Sequence, residues 1–132
     1  MRRSPSWFPQ ESQRSFSLAR AAAASGTSCA GGFVFVAGQL PVAPDGRKLN
    51  QEPFETQARQ VLANVDAALR SAGSSIARLV QVRVYITDIE RWPEFNVIYA
   101  QWAGASRPVR AVVPVPLLHY GFLLEVEATA LD

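Results

Sequence analysis

The chain has 132 residues, 48% of them hydrophobic, and a formal net charge of +2 at pH 7. This length and composition are those of one globular domain with a sizeable core, and they exclude a disordered chain. The 13 basic and 11 acidic residues are scattered, so we expect no nucleic-acid partner, and no apolar run approaches the ~20 residues of a membrane helix.

The first 30 residues are predicted to form an N-terminal arm that ends in the first strand, and residues 31–132 to form the domain itself. The arm has paired arginines and an alanine run, but polar residues such as Glu11 and Arg20 interrupt it, which argues against a targeting peptide. Cys29 and His119 are the only cysteine and histidine. They cannot build a disulfide or a zinc cluster, so we expect no metal and a cytoplasmic location.

Apolar periodicity predicts six elements in the order strand, helix, strand, helix, strand, strand. They are a strand from Phe33 to Val36, a helix from Phe54 to Ala72, an alternating strand from Val80 to Ile86, a helix from about Pro93 to Gly104, and strands Val109–Val115 and Phe122–Leu131. Asp45 and Gly46 predict a turn after the first strand.

Both helices can cover the same face of the sheet, which predicts a two-layer α+β or α/β sandwich. The other face would then carry exposed apolar side chains with nothing in the chain to cover them. Soluble monomers rarely expose such a patch, so we expect self-association with cyclic symmetry.

Charged residues on the last two predicted strands are the first candidates for a site. Arg110 can equally be a strand-end charge paired with an acid or a planar fork that binds a carboxylate. Glu125 and Glu127 point to one side of the final strand, where a solvated face is the default and an acid/base pair the alternative. The segment from Leu117 to Gly121 is short, so we expect the two strands to be neighbours.

Other candidates are weaker. His119 and Tyr120 lie in a turn before the final strand, where they line either a pocket mouth or a subunit contact. Asn96 lies early in the second helix, where a cap or solvent role is the default.

Five separated segments, in order, resemble the Rid proteins, the YjgF-like reactive-intermediate deaminases that are also labelled endoribonuclease L-PSP. They are VFVAGQLPVAPDG, QARQVLANVDAALRSAGSSIARLVQVRVYITDI, FNVIYAQW, RPVRAVVPV and LLEVEATA, and the resemblance runs from about Gly32 to Ala130. The resemblance implies a chorismate-mutase-like α+β sandwich, a mixed sheet with two helices on one face, and a barrel-like homotrimer with pockets at its subunit interfaces. It also implies hydrolysis of 2-imino acids to 2-oxo acids and ammonia, without a cofactor.

The resemblance assigns roles residue by residue. Arg110 of the P-x-R motif would bind the substrate carboxylate, and Glu125, the first glutamate of E-x-E, would direct the attacking water. Asn96 and Gly38 would line the pocket, whereas Glu127 is assigned to structure or the trimer contact.

Two positions depart from the pattern. Ala37 replaces a pocket serine, and the stretch near Ala24 lacks the tyrosine of an N-terminal motif, so two hydroxyl groups are lost from the pocket wall. The segment LLHYGF before the last strand would supply Tyr120 or His119 instead. These losses keep open an alternative, a non-catalytic trimer that binds small carboxylates or a partner protein. A ribonuclease is disfavoured, since the chain lacks a basic stripe and paired histidines.

Overall fold

The computed structural model describes residues 26–132 as a five-stranded mixed sheet with two α-helices packed on it. The strands are β1 (Thr27–Ala30), β2 (Phe33–Gln39), β3 (Leu79–Ile86), β4 (Val109–Pro114) and β5 (Leu124–Leu131). The helices are α1 (Phe54–Ser71) and α2 (Trp92–Ala103), and short 3₁₀ turns span Ile76–Arg78, Ile89–Arg91 and His119–Gly121. The predicted two-layer α+β sandwich is confirmed, and no described helix is long and apolar enough to cross a membrane.

The strand order is β1-β2-β5-β3-β4, with β3 and β4 parallel and the other pairs antiparallel. The expectation that β4 and β5 are neighbours is therefore wrong, because β3 lies between them. Helix α2 is the crossover that lets β3 and β4 run parallel. The segment after β4 then crosses the end of β3, where Val115 N donates to Ile86 O over 2.9 Å and Thr87 N donates to Leu123 O over 3.1 Å.

The core lies between the helices and the sheet face that they cover. Every apolar residue that the helical spacing of α1 selects is buried, and so are the inward side chains of β3 and β5. The set comprises Phe54, Ala58, Val61, Leu62, Val65, Ala68 and Leu69 of α1, Val82, Val84 and Ile86 of β3, and Leu124, Val126, Ala128 and Ala130 of β5. We call the face they occupy the helix face, and the opposite one the open face.

One residue of the predicted β3 alternation is displaced. Val80 should share the helix face with Val82, but its side chain is 37% exposed, while Leu79 is buried at 8%. The register shifts between Leu79 and Gln81 opposite β5. This extra residue reverses the alternation at the start of the strand, which a strict period of two cannot anticipate.

Strands β1 and β2 form a hairpin, which the predicted strand from Phe33 to Val36 and the predicted arm before it did not include. Gly31 and Gly32 both have positive φ, at 60° and 83°, as a two-residue hairpin turn of type I′ requires. Of the predicted arm, the part up to residue 25 lies outside the described residues.

Gln57 is a fully buried polar side chain within α1. Its Nε2 donates to Glu52 O over 2.9 Å, and its Oε1 accepts from Leu123 N over 3.0 Å. The side chain thus joins the start of α1 to the residue that precedes β5, and thereby fixes where β5 enters the sheet.

The open face is more polar than expected, since β5 presents Glu125, Glu127 and Thr129 there. Tyr85 Oη donates to Glu127 Oε1 over 2.7 Å, and Arg83 Nη1 donates to the same oxygen over 3.3 Å. The hydrogen bond to Glu127, together with burial, raises the pKa of the Tyr85 hydroxyl. Apolar side chains on this face cluster at one end, where Phe33 and Phe35 are 38% and 45% exposed.

We expect Gln57→Leu to lower the free energy of unfolding by about 1–3 kcal/mol, because it removes the partners that the buried Gln57 side chain gives to the Leu123 N–H and Glu52 C=O groups. Urea unfolding of the variant measures this loss. Gln51→Leu, the same substitution at an exposed position, is the control and should change stability by less than about 0.5 kcal/mol. Equal stability of the two variants would contradict the role assigned to Gln57.

We expect the stability of the native protein to fall above about pH 10, and to fall less steeply in Tyr85→Phe. Because the folded state raises the pKa of Tyr85, the unfolded chain loses this proton first as the pH rises. The stabilisation is therefore fully present below about pH 10 and is lost as the pH rises through the folded pKa. Urea midpoints at about pH 8 and about pH 11, at one protein concentration, compare the two proteins. Identical losses would contradict the prediction.

Candidate functional site

Arg110 is the one half-buried arginine among residues 26–132, where every other arginine is exposed. Its Cζ lies 4.6 Å from the centre of the Tyr99 ring and 5.5 Å from that of Trp92, both on α2. No carboxylate or carbonyl of the described part of the chain bonds its guanidinium. Partial burial of a cation without an anionic partner lowers the stability of the folded protein, and an anionic ligand would supply the missing partner. Arg110 is therefore a candidate anion-binding group.

Asn96 shares one side of α2 with the two rings that contact Arg110. It is four residues after Trp92 and three before Tyr99. Asn96 is exposed. A contact between its amide and the Arg110 guanidinium stays a prediction.

Glu125 and Gly38 form a second group. Strand β2 carries one extra residue between Val36 and Gln39, so Ala37 and Gly38 bulge opposite β5. A Cβ built on Gly38 would overlap Glu125 Oε1 and lie 3.0 Å from Glu125 Cδ. A glycine at this position is what lets the carboxylate lie against the β2 backbone.

Glu125 and Glu127 differ in their partners although they share a face of β5. Glu127 is held by Tyr85 and Arg83, as a structural residue would be. No described residue donates a hydrogen bond to Glu125, which is half-buried. Glu125 is thus the carboxylate with free acceptor positions.

The two groups stand on opposite faces of the sheet. Arg110 is in register with Val82 of β3, whereas Glu125 is in register with Tyr85. Val82 and Tyr85 are three residues apart in one strand and so point to opposite sides. Arg110 lies on the helix face and Glu125 on the open face, and a single chain cannot aim both at one small molecule.

A pocket with a volume of about 620 Å³ lies on the open face. Its lining includes Ala37 from the bulge, Phe35, Arg83, Glu127 and Thr129. It adjoins the strand positions that flank Glu125, so this side of the sheet has room for another chain or a ligand.

His119 and Tyr120 are exposed in the 3₁₀ turn before β5. Tyr120 has a φ of 57°, and its carbonyl accepts from Asn50 Nδ2 over 3.0 Å. Lys48 Nζ lies 4.6 Å from its ring centre. These contacts hold the turn against the 47–50 loop, and a place for either side chain in a substrate pocket stays a prediction.

The contacts of Trp92 and Tyr99 with Arg110 were not expected from the sequence. The available signal was the spacing of seven residues, which places two aromatic rings on one side of α2. Their contact with Arg110 depends on the parallel β3–β4 pairing, which no local pattern predicted. Burial raises the pKa of the Tyr99 hydroxyl, while the Arg110 cation acts in the opposite direction.

No group of three or more His, Cys, Asp or Glu side chains that could hold a metal ion occurs within residues 26–132. The stretch near Ala24, where the family motif has a tyrosine, lies outside the described residues.

Comparison with known proteins gives a consistent assignment. The family model for endoribonuclease L-PSP matches residues 17–132. A RutC family protein of Pyrococcus horikoshii is 39% identical over 101 residues, which cover 76% of this chain and 80% of that protein.

Solved structures agree. YyfA of Yersinia pestis, described as a protein of the Rid family, is 35% identical, with a TM-score of 0.78 over 81% of this chain and 86% of that one. Escherichia coli TdcF, solved with bound serine, is 33% identical, with a TM-score of 0.75 over the same shares of the two chains. The matched span, the identities and the shared fold together assign this chain to the endoribonuclease L-PSP family, the Rid family.

Proposed function

We propose that this protein hydrolyses reactive 2-imino acids to 2-oxo acids and ammonia, without a cofactor, in sites shared between subunits of a homotrimer. The observation that carries the proposal is a pair of charges that have no partner among residues 26–132, Arg110 on the helix face and Glu125 on the open face. Each is half-buried and free to bind a ligand. Membership of the Rid family supports the reaction class.

The separation of the two charges favours a ring of subunits. If Arg110 of one copy meets Glu125 of the next, two different surfaces are in contact, and the interface is heterologous. A heterologous interface closes into a ring when the rotation between neighbouring copies returns to its start, and a ring of three copies would have three equivalent sites. The exposed Phe33 and Phe35 on the open face supply apolar area for such a contact.

The chemistry follows from the two charges. Arg110 would bind the substrate carboxylate through two parallel N–H donors and so fix the position of the adjacent imine carbon. Glu125 would accept a proton from a water molecule as its oxygen adds to that carbon. Glu125 would pass this proton to the imine nitrogen, which gives a tetrahedral intermediate with one hydroxyl and one amino group. The hydroxyl proton then moves to the nitrogen as the C–N bond breaks and the C=O bond forms, so that ammonia leaves and the 2-oxo acid remains. Since free imino acids hydrolyse spontaneously, the site needs to supply only a modest acceleration.

Two other readings have different support. Ala37 offers no hydroxyl, and no described residue orients Glu125, which favours carboxylate binding without catalysis; the serine bound to TdcF is consistent with a small-molecule site in this fold. An RNA-cleaving activity has less support, because the single histidine, His119, has no second histidine with which to act as an acid/base pair.

We also propose a cytoplasmic location, as the unpaired thiol of Cys29 fits a reducing compartment.

We expect the native protein to accelerate hydrolysis of 2-iminopropanoate generated by an amino-acid oxidase, with semicarbazide trapping the surviving imine. Arg110→Ala and Glu125→Gln should each lose about 10²-fold in kcat/KM, since each removes a group that positions a reactant. Imine decay at the same rate with and without native protein would favour the binding reading instead.

Mixing the two inactive variants tests whether the site is shared. Co-refolded subunits carrying Arg110→Ala and Glu125→Gln should regain on the order of a quarter of the native activity, because mixed rings contain one site with both native groups. The control is co-refolding of Arg110→Ala with itself, which should regain nothing. Failure of the mixture to recover, despite mixed assembly detected by tagged subunits, would place both groups in one chain and contradict the shared site.

We expect Gly38→Ala to reduce both stability and activity, because the new Cβ collides with Glu125. The stability cost should be about 1–3 kcal/mol in the native background. It should largely disappear when Glu125 is also replaced by alanine, since the collision partner is then gone. A double-mutant cycle measured by urea unfolding checks this, and additive costs would contradict it.

A further inference from the structure

Arg110 is held differently from the ion-paired arginines within residues 26–132. Arg59, Arg83 and Arg91 each form an ion pair, with Glu55 at 3.0 Å, Glu127 at 3.3 Å and Glu94 at 3.2 Å. Arg110 has no such pair and lies instead against two aromatic rings, those of Tyr99 and Trp92. Its side chain is oriented by ring faces alone.

The two rings are themselves fixed to different extents. Tyr99 is only 9% exposed, and its ring lies 5.8 Å from that of Phe95 and 5.7 Å from that of Trp102. The packed Tyr99 ring thus contacts the guanidinium from the buried side. Trp92, at the start of α2, is 41% exposed, and its ring contacts the guanidinium where solvent has access.

Ring faces and carboxylates hold an arginine in different ways. An aromatic face attracts the cation through its quadrupole and leaves the N–H donors, which lie in the guanidinium plane, unused. A protein carboxylate would occupy the same donors and would compete with an anionic ligand. A half-buried arginine held only by rings is therefore oriented and still has its donor edge free.

We propose that Trp92 and Tyr99 are positioning residues that hold Arg110 ready to bind the carboxylate of the ligand. This inference rests on the proposed function, since it takes Arg110 as the carboxylate-binding group. The aromatic ring of Tyr99 carries the role, and its hydroxyl does not, because Tyr99 Oη is buried without a hydrogen-bond partner in the described structure.

The proposal predicts a rise in KM with little change in kcat. Trp92→Leu should raise KM for the imino acid about three- to thirty-fold, the range expected for losing one partly desolvated cation–π contact. The carboxylate stays bound throughout the reaction, so kcat should change less than about two-fold. Trp92→Phe keeps an aromatic face and should restore most of the native KM.

Tyr99 provides a second, independent comparison. Tyr99→Phe keeps the ring and should retain the native KM, whereas Tyr99→Leu should raise KM as Trp92→Leu does. Arg91→Lys is the matched control: Arg91 also lies over a ring, that of Phe54 at 5.5 Å, but is ion-paired and outside the site. It should leave both KM and kcat unchanged.

Equilibrium binding of pyruvate, a product-like 2-oxo acid, separates this inference from the proposed function. Calorimetric titration should give weaker binding to Trp92→Leu and Tyr99→Leu than to the native protein and to the two phenylalanine variants. If the native protein binds pyruvate but does not accelerate imine hydrolysis, the proposed function fails and the binding series still decides the positioning role.

Two results would overturn the inference. One is native KM and native pyruvate affinity in folded Trp92→Leu and Tyr99→Leu proteins, while Arg110→Ala loses both. The other is no pyruvate binding and no imine hydrolysis by the native protein, which would mean that Arg110 binds no such carboxylate. Thermal unfolding confirms that each variant is folded, and Trp92→Leu should differ little from native because Trp92 is substantially exposed.

Discussion

The alternation of side chains along β3 and its neighbours determines where every functional group of this protein stands. Two helices keep one face of the sheet dry, so the register of β3 against β4 and β5 cannot slip by one residue without exposing the core. Arg110 follows Val82 onto the helix face and Glu125 follows Tyr85 onto the open face. The forces that build the core therefore also separate the two charges most suited to the chemistry.

That separation makes assembly and function inseparable in the proposed mechanism. Arg110 lies on one side of the sheet and Glu125 on the other, and within residues 26–132 neither has a protein partner to neutralise it. A partly buried charge without a counterion costs stability. If the Arg110 surface of one copy packed against the Glu125 surface of the next, substrate bound between them would contact both charges. Arg110 would bind its carboxylate, and Glu125 would bind the attacking water. Glu127, already satisfied by Tyr85 and Arg83, needs no such contact.

Local sequence patterns predicted the helices and most of the strands, but they did not predict the strand order or the contacts between residues far apart in the sequence. The apolar spacing of α1 identified its buried side, because apolar residues repeated at a period of 3.6 form a single stripe along the helix, and that stripe packs against the sheet. Gln57 was missed because its burial depends on hydrogen-bond partners at Glu52 and Leu123 that no local pattern reveals. The short link between β4 and β5 suggested neighbours, yet the β3–α2–β4 crossover demanded parallel pairing and placed β3 between them.

Strand β4 explains why the site itself could not be read from the sequence. Both of its sides are apolar apart from Arg110, so alternation alone could not say which side met the helices. Only the pairing of Arg110 with Val82 decides that question. The ambiguity is informative in its own right, since Val109 remains 65% exposed while Val112 and Val113 on opposite sides are both half-buried. An edge strand that is apolar on both sides supports the proposed contact between copies, in which a second chain would cover the side that the helices do not.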